Sequence, residues 1–459
     1  MAPPKEPRGR ILHADDPDWD AARKVFNDRF DRRPEAIVYC ADEDDVAPAL
    51  AWARARGLPI SLRSGGHSFE AFSVVDGGVV LDLSRLHSVR VDAENRLAHL
   101  GAGNRIGPIA EELWRHGLTL PLGSCPSVGI AGLTLGGGMG LLSRLWGLTC
   151  DNLLKAELVL ADGSRVTTTE VDNPELLWAC RGGGGGNFGI ATSFVFRLHP
   201  IDTVSIFRVV WPWEDLPEVL TAWQQWAPTA DDRLGTVLQL KGAKAKEIVA
   251  LGQYVGPEFE LNQHIHQLCA AGRPFELETV ELPFIEAYRL FAGARMGDAA
   301  WAIATGTPCF KGGSDYALWP LSSDGITQLQ EILRAAPSAT CQVQLENTGG
   351  AVARLTEDAS AFPHRAGALY SLQYLAAWQD AREEAEHLAW FRTLRSAVHP
   401  FLAGAAYLNY CDAELTSWHE AYYGDNLARL TRIKKRYDPG DVFRFAQSIP
   451  LELPAKYRG

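Results

Sequence analysis

The sequence predicts an α+β protein of two domains, and three observations carry that prediction. Its 459 residues, 46% hydrophobic and 22% charged, are too many for one ordinary core and have the balance of a folded globular chain. From Arg33 to Pro200, short β-rich runs alternate with helical ones, and glycine punctuates them densely. Beyond Pro200 the chain changes to tryptophan-rich helical stretches mixed with strands.

In the first part, residues 36–39 read as a strand, 44–56 as a helix, 59–63 as a strand running into a glycine turn, and 78–83 as the next strand. A second alternation follows. Residues 98–100 form a strand, 105–116 a helix, 154–160 and 165–168 a hairpin around Asp162-Gly163, and 190–198 a strand. Further on, residues 216–226 are helical, while 247–253 and 342–346 are extended. The tail returns to strand then helix, with 405–410 extended and 426–437 helical. The expected division is a first domain over residues 1–200, a second over 201–400, and a C-terminal segment, 401–459, that rejoins the first.

The formal net charge of −12 opposes a sequence-independent grip on polyphosphate, so nucleic acid is excluded as an expected partner. The N-terminal residues lack the apolar core of a secretory signal, and no stretch is apolar enough to span a bilayer. A soluble, cytoplasmic protein without a membrane partner is expected. Eight cysteines with no C-x-x-C pair suit a reducing compartment better than a disulfide framework. No metal site is expected.

Gly184, Gly186 and Gly189 match G-x-G-x-x-G, but a helix-like segment precedes them and a strand follows. Dinucleotide binding at a helix N-terminus needs the reverse order. No Gly-Lys-Ser/Thr closes any glycine cluster, so a P-loop also fails. Arg63-Ser64-Gly65-Gly66-His67-Ser68 follows an apolar strand, and such a turn can aim successive backbone N–H groups at a pyrophosphate; the plain reading is a tight turn with an exposed histidine. A third cluster, Gly123-Ser124-Cys125-Pro126-Ser127-Val128-Gly129-Ile130-Ala131-Gly132, runs into Leu135-Gly136-Gly137-Gly138-Met139-Gly140. Backbone so rich in glycine lies close against something large, either a planar ligand or another domain.

Taken in order, these segments resemble the berberine-bridge-enzyme-like group of the vanillyl-alcohol-oxidase (PCMH-type FAD-binding) superfamily. The resemblance spans nearly the whole chain. It continues through Trp146-Gly147-Leu148-Thr149-Cys150-Asp151-Asn152, Arg181-Gly182-Gly183-Gly184, Asn187-Phe188-Gly189-Ile190, Phe362-Pro363-His364-Arg365, Tyr407-Leu408-Asn409-Tyr410-Cys411-Asp412 and Gln447-Ser448-Ile449-Pro450. It implies an FAD domain of two α/β subdomains and a substrate domain whose antiparallel sheet, flanked by helices, covers the flavin.

The resemblance further implies FAD bonded twice, through His67 to the flavin 8α carbon and through Cys125 to the flavin 6 position. A histidine nitrogen and a thiolate are both competent nucleophiles toward an electron-poor ring. Attachment through His67 alone is the alternative, and Cys150, the rival thiol, is assigned to packing. Cofactor contacts are expected from Arg63, Ser64, Gly65, Gly66, Ser68, Gly129, Gly132, Gly137, Gly138, Gly140, Gly189, Ile190 and Asn409. Tyr410 is the expected base. Tyr407 is expected to be structural, because residues three apart in an extended segment face opposite ways. Gln373 sits where a polar residue often lines the substrate face, and Val128 where side-chain size gates oxygen.

The implied reaction is oxidation of an alcohol or hemiacetal of a sugar or secondary metabolite, with O2 reduced to H2O2. Oxidative ring closure is the first alternative, and a non-catalytic flavin-binding protein the second. Trp211, Trp213, Tyr288, Trp301, Tyr316 and Trp319 are candidates to stack on substrate. Met139 stands where many relatives carry an aromatic residue and Phe69 where they carry Tyr, and Gly129 to Leu133 departs from Gly-Gly-His. These changes weaken the transfer of any particular substrate.

Overall fold

Four short strands open the chain: β1 (Ile11–Leu12), β2 (Ala36–Tyr39), β3 (Ile60–Arg63) and β4 (Val79–Asp82), in the order β1-β2-β4-β3. The helix Val46–Arg54 carries the chain back between β2 and β3, so these two strands flank β4 in parallel, as a helical crossover permits. These elements belong to a computed structural model that describes residues 6–293 and 309–454.

A second sheet is antiparallel throughout. β5 (Val89–Asp92) and β6 (Leu97–Gly101) come first. The helix Ile106–Trp114 and the short β7 (Leu118–Thr119) follow, and then β8 (Leu153–Val159), β9 (Arg165–Thr168) and β10 (Ile190–Arg197) give the order β5-β6-β10-β8-β9. β8 and β9 form the expected hairpin, turning at Gly163 with φ +86°. The rejected dinucleotide motif is flanked by the helix Pro174–Cys180 and by β10, the order that rules it out. β11 (His199–Pro200) pairs with β7.

From here the chain builds one large antiparallel sheet from β12 (Thr203–Pro212), β13 (Leu234–Lys241), β14 (Glu247–Tyr254), β15 (Glu276–Pro283), β16 (Cys309–Ala317), β17 (Gln342–Asn347) and β18 (Tyr370–Trp378). Its order is β15-β12-β14-β13-β17-β18-β16. Strand alternation divides its residues cleanly. Val343, Leu345, Leu372 and Tyr374 are buried in a core that includes residues of the helices Leu216–Trp226, Glu258–Cys269, Ser323–Arg334 and Glu384–Val398. Gln342, Gln344, Glu346 and Gln373, at the alternate positions, face a cavity on the other side.

The C-terminal segment packs back on the first part. Leu427, Leu430 and Ile433, from the helix Leu427–Tyr437, join the core formed by the first two sheets. Lys434, fully buried, donates to Asp438 and to the carbonyls of Asn187 (2.9 Å) and Phe443 (2.7 Å), satisfying its charge without water. Among the described residues, no helix is long and apolar enough to cross a membrane.

Candidate active site

The Arg63–Ser68 turn leaves β3 and meets the Cys125–Gly129 segment backbone to backbone. A Cβ on Gly65 would stand 2.3 Å from the Gly129 nitrogen, and a Cβ on Gly129 would stand 2.4 Å from the Gly65 nitrogen. Only glycine fits at either position. The Ser64 hydroxyl donates to the Ala102 carbonyl at 2.7 Å. The second segment is sewn to the start of the helix Ile106–Trp114: Ile106 N–H donates to Val128 O, Gly107 N–H to Pro126 O and Ile130 N–H to Asn104 O, each at 2.9 Å.

Both segments border a cavity of about 670 Å³ that extends to the large sheet, a size that suits a cofactor and a small substrate. His67 lies on the ring of Phe26 at 4.0 Å. Burial, with the charge of Arg105, pushes its pKa down to about 4, so near neutral pH the imidazole is uncharged and nucleophilic. The Cys125 thiol lies 3.5 Å from the Ser127 hydroxyl, and Ser127 also hydrogen-bonds His67 through its backbone. Two nucleophiles on one cavity wall, beside a glycine crossing that admits close approach, fit the flavin that the sequence implies. Cys150 is fully buried, does not border the cavity, and has its thiol pushed up by burial.

Ser64, Gly65, Gly66, Ser68, Val128, Gly129, Gly132, Gly140, Gly189 and Asn409 all line the cavity. Arg63 lines it too, but its guanidinium is committed to Asp82 and to the Ala22 carbonyl. Gly137, Gly138 and Ile190 lie outside the lining. Glycine is required at the first two for packing: a Cβ on Gly137 would meet the rings of Phe362 and Tyr407, and one on Gly138 would lie 2.3 Å from the Thr149 hydroxyl. Ile190 is fully buried in the core.

Residues 405–410 are not extended. Leu408–Tyr410 is a 3₁₀ turn, in which side chains at i and i+3 stand on the same side. Tyr407 and Tyr410 therefore converge, with ring centroids 4.9 Å apart and edge to face, and both line the cavity. The opposed placement expected from strand alternation is corrected. Tyr407 accepts from the Gly138 N–H at 2.8 Å and from Asn409 Nδ2 at 3.0 Å. Tyr410 stacks on Phe69 at 5.4 Å and donates its hydroxyl to Glu346 at 3.3 Å.

Burial pushes both tyrosines above the ordinary phenol range, and the Glu346 carboxylate pushes Tyr410 further. Arg365 offers no relief, since its guanidinium is bound to Asp151, Ser360 and the Phe362 carbonyl. Glu346 is not among the residues the sequence reading assigns to the site. Burial raises its carboxyl, while a hydrogen bond from Gln344 Nε2 opposes the shift. The signal is Gln342-Val343-Gln344-Leu345-Glu346, a period-2 polar row alternating with the apolar Val343 and Leu345.

Of the candidate stacking aromatics, Tyr316 lines the cavity. Trp211 and Trp213 are buried in the sheet–helix core and Tyr288 in the core of the first part, Trp319 is half exposed on the surface, and Trp301 lies outside the described residues.

Residues 34–169 match the family model described as an FAD binding domain, and residues 406–450 match the one described as berberine and berberine like. The FAD-linked oxidoreductase YgaK of Bacillus subtilis is 40% identical over 96% of this chain and 97% of its own. The chain belongs to the berberine-bridge-enzyme-like family of FAD-linked oxidoreductases. The monolignol oxidoreductase AtBBE-like 13 of Arabidopsis thaliana is 33% identical over 92% of this chain and 84% of its own. The solved structure of BBE-like 1 from Physcomitrella patens superposes with a TM-score of 0.90 at 30% identity, covering 97% of this chain and 98% of that one. That berberine-bridge-enzyme-like structure thus shares the overall fold described above.

That crossing yields a direct expectation. Gly65→Ala sets a methyl against the Gly129 backbone, so it is expected to cost at least about 1–3 kcal/mol and to lower flavin content together with the melting temperature. Thermal unfolding monitored alongside flavin absorbance checks this. A variant with wild-type melting and loading would show that the two segments separate freely.

Proposed function

We propose that the protein is an oxidase that holds FAD through two covalent bonds, at His67 and Cys125, and oxidises an alcohol or hemiacetal of a sugar or secondary metabolite. The observation that carries the chemistry is the Tyr410–Glu346 hydrogen bond on the cavity wall. When bound, the flavin supplies the hydride acceptor and passes the electrons to O2, giving H2O2. Tyr410 takes the proton of the substrate hydroxyl while its own proton passes to Glu346.

The electrostatics favour a concerted pass. A standing phenolate at Tyr410 is disfavoured by burial and by the neighbouring carboxylate. Glu346, whose carboxyl burial has raised, holds a proton better than an exposed glutamate does. The pair therefore accepts a proton without Tyr410 carrying a full charge. Gln342, Gln344 and Gln373 line the same wall, and each amide offers both donor and acceptor. That chemistry suits a substrate bearing several hydroxyls. Val128, on the segment that carries Cys125, is small enough to leave O2 a path to the ring.

Tyr410→Phe is expected to slow anaerobic flavin reduction about a hundredfold or more, with the covalent flavin and the fold retained; Tyr407→Phe is expected to do less. The pH dependence follows from the raised carboxyl. Glu346 accepts only when ionised, so reduction slows as pH falls through a value above the ordinary glutamate range. Glu346→Gln removes that limb and leaves a slower, flat profile. Wild-type reduction by Tyr410→Phe, or an unchanged acid limb in Glu346→Gln, would place the proton acceptor elsewhere.

Val128→Leu is expected to leave reduction by substrate nearly intact and to slow reoxidation by dissolved oxygen. Stopped-flow traces of the two half-reactions decide it, and equal reoxidation rates would remove Val128 from the oxygen path.

A further inference from the structure

The turn that carries His67 is held at both ends. Its start is clamped where Gly65 meets Gly129. Its end, at Phe69 and Glu70, is clamped by β16 of the large sheet. Asn27, fully buried, donates to the carbonyls of Phe69 and Phe310, both at 2.9 Å, and accepts from the Phe310 N–H at 3.2 Å. A Cβ on Gly312 would stand 2.7 Å from the Phe69 ring. Between Phe310 and Gly312 sits Lys311, 2% exposed. Its ammonium donates to Glu70 and, at 2.5 Å, to Asp412. Arg395 takes the other oxygen of Asp412 at 2.5 Å.

Two cations thus face two carboxylates, and the cluster is neutral. Glu70 lies three residues after His67, and Asp412 two residues after Tyr410. The reaction proposed above uses none of the four. Charge-assisted bonds of this kind hold geometry as well as energy, and Lys311 is the member that reaches the His67 turn.

We propose that Lys311 is a positioning residue for cofactor attachment: through Glu70 it fixes the far end of the His67 turn, so that the imidazole meets the flavin 8α carbon. The proposal rests on the reading of His67 as an attachment point. Joining the two replaces one C–H and one N–H bond with a C–N bond. The two electrons released pass to O2, which with two protons leaves as H2O2. A nucleophile displaced by about 1 Å loses rate by about two orders of magnitude. Cys125 stands on the segment bonded to residues 104–107, so its attachment does not depend on Lys311.

The test uses full-length protein purified with its flavin and mass spectrometry of the peptides that contain His67 and Cys125. Lys311→Met/Glu70→Gln removes one cation and one anion and leaves the Asp412–Arg395 pair in balance. Adduct occupancy at His67 is expected to fall roughly tenfold or more while occupancy at Cys125 stays at the wild-type level. Glu70→Gln alone keeps an oxygen for Lys311 and is expected to retain the His67 adduct. Undiminished His67 occupancy in the double variant would overturn the proposal. So would a parallel fall at both residues, which marks a general loss of fold, or loss of the His67 adduct in Glu70→Gln. Wild-type protein with no adduct on His67 defeats the attachment reading itself and the proposal with it.

Discussion

Gly65 and Gly129 touch through their backbones, each nitrogen within 2.4 Å of where the other residue would carry a Cβ. That contact joins the turn bearing His67 to the segment bearing Cys125, and through Val128, Pro126 and Asn104 to the helix Ile106–Trp114. Any side chain at the crossing would part the two nucleophiles and open the cavity between them. β3 delivers one strand of the crossing, and the C-terminal segment returns to pack on the core of the first two sheets.

The cavity has two unlike walls. On one side the chain offers glycine-rich backbone, which presents fixed amides at close range and takes little room. On the other, a seven-stranded sheet offers side chains, sorted by strand alternation into apolar residues toward its helices and amides and a carboxylate toward the cavity. In the proposed function the first surface serves the cofactor and the second the substrate. The hydrogen bond from Tyr410 to Glu346 bridges them, since Tyr410 comes from the C-terminal segment and Glu346 from β17.

Much of this was legible in the residues, and the parts that were not have identifiable causes. Strands at 36–39 and 165–168 and the helix at 216–226 coincide with the structure, because each pairs a clear hydrophobic period with turn residues at its ends. The apolar and aromatic residues of 405–410 predict a strand, whereas Leu408–Tyr410 is a 3₁₀ turn that brings Tyr407 and Tyr410 together. A glycine that packing requires, as at Gly137 and Gly138, looks the same in sequence as one needed for a ligand. Glu346 is not legible in the sequence because its partner Tyr410 lies 64 residues away, a pairing that only the fold makes.

Whether the two nucleophiles joined by the glycine crossing both hold the flavin is tested most directly by the mass of the acid-denatured chain. The wild-type chain should carry one FAD after denaturation. His67→Ala and Cys125→Ala should each still carry it, and the double variant should release it. Flavin that washes entirely into the supernatant from the wild-type protein would contradict covalent attachment, and release by either single variant would reduce two bonds to one.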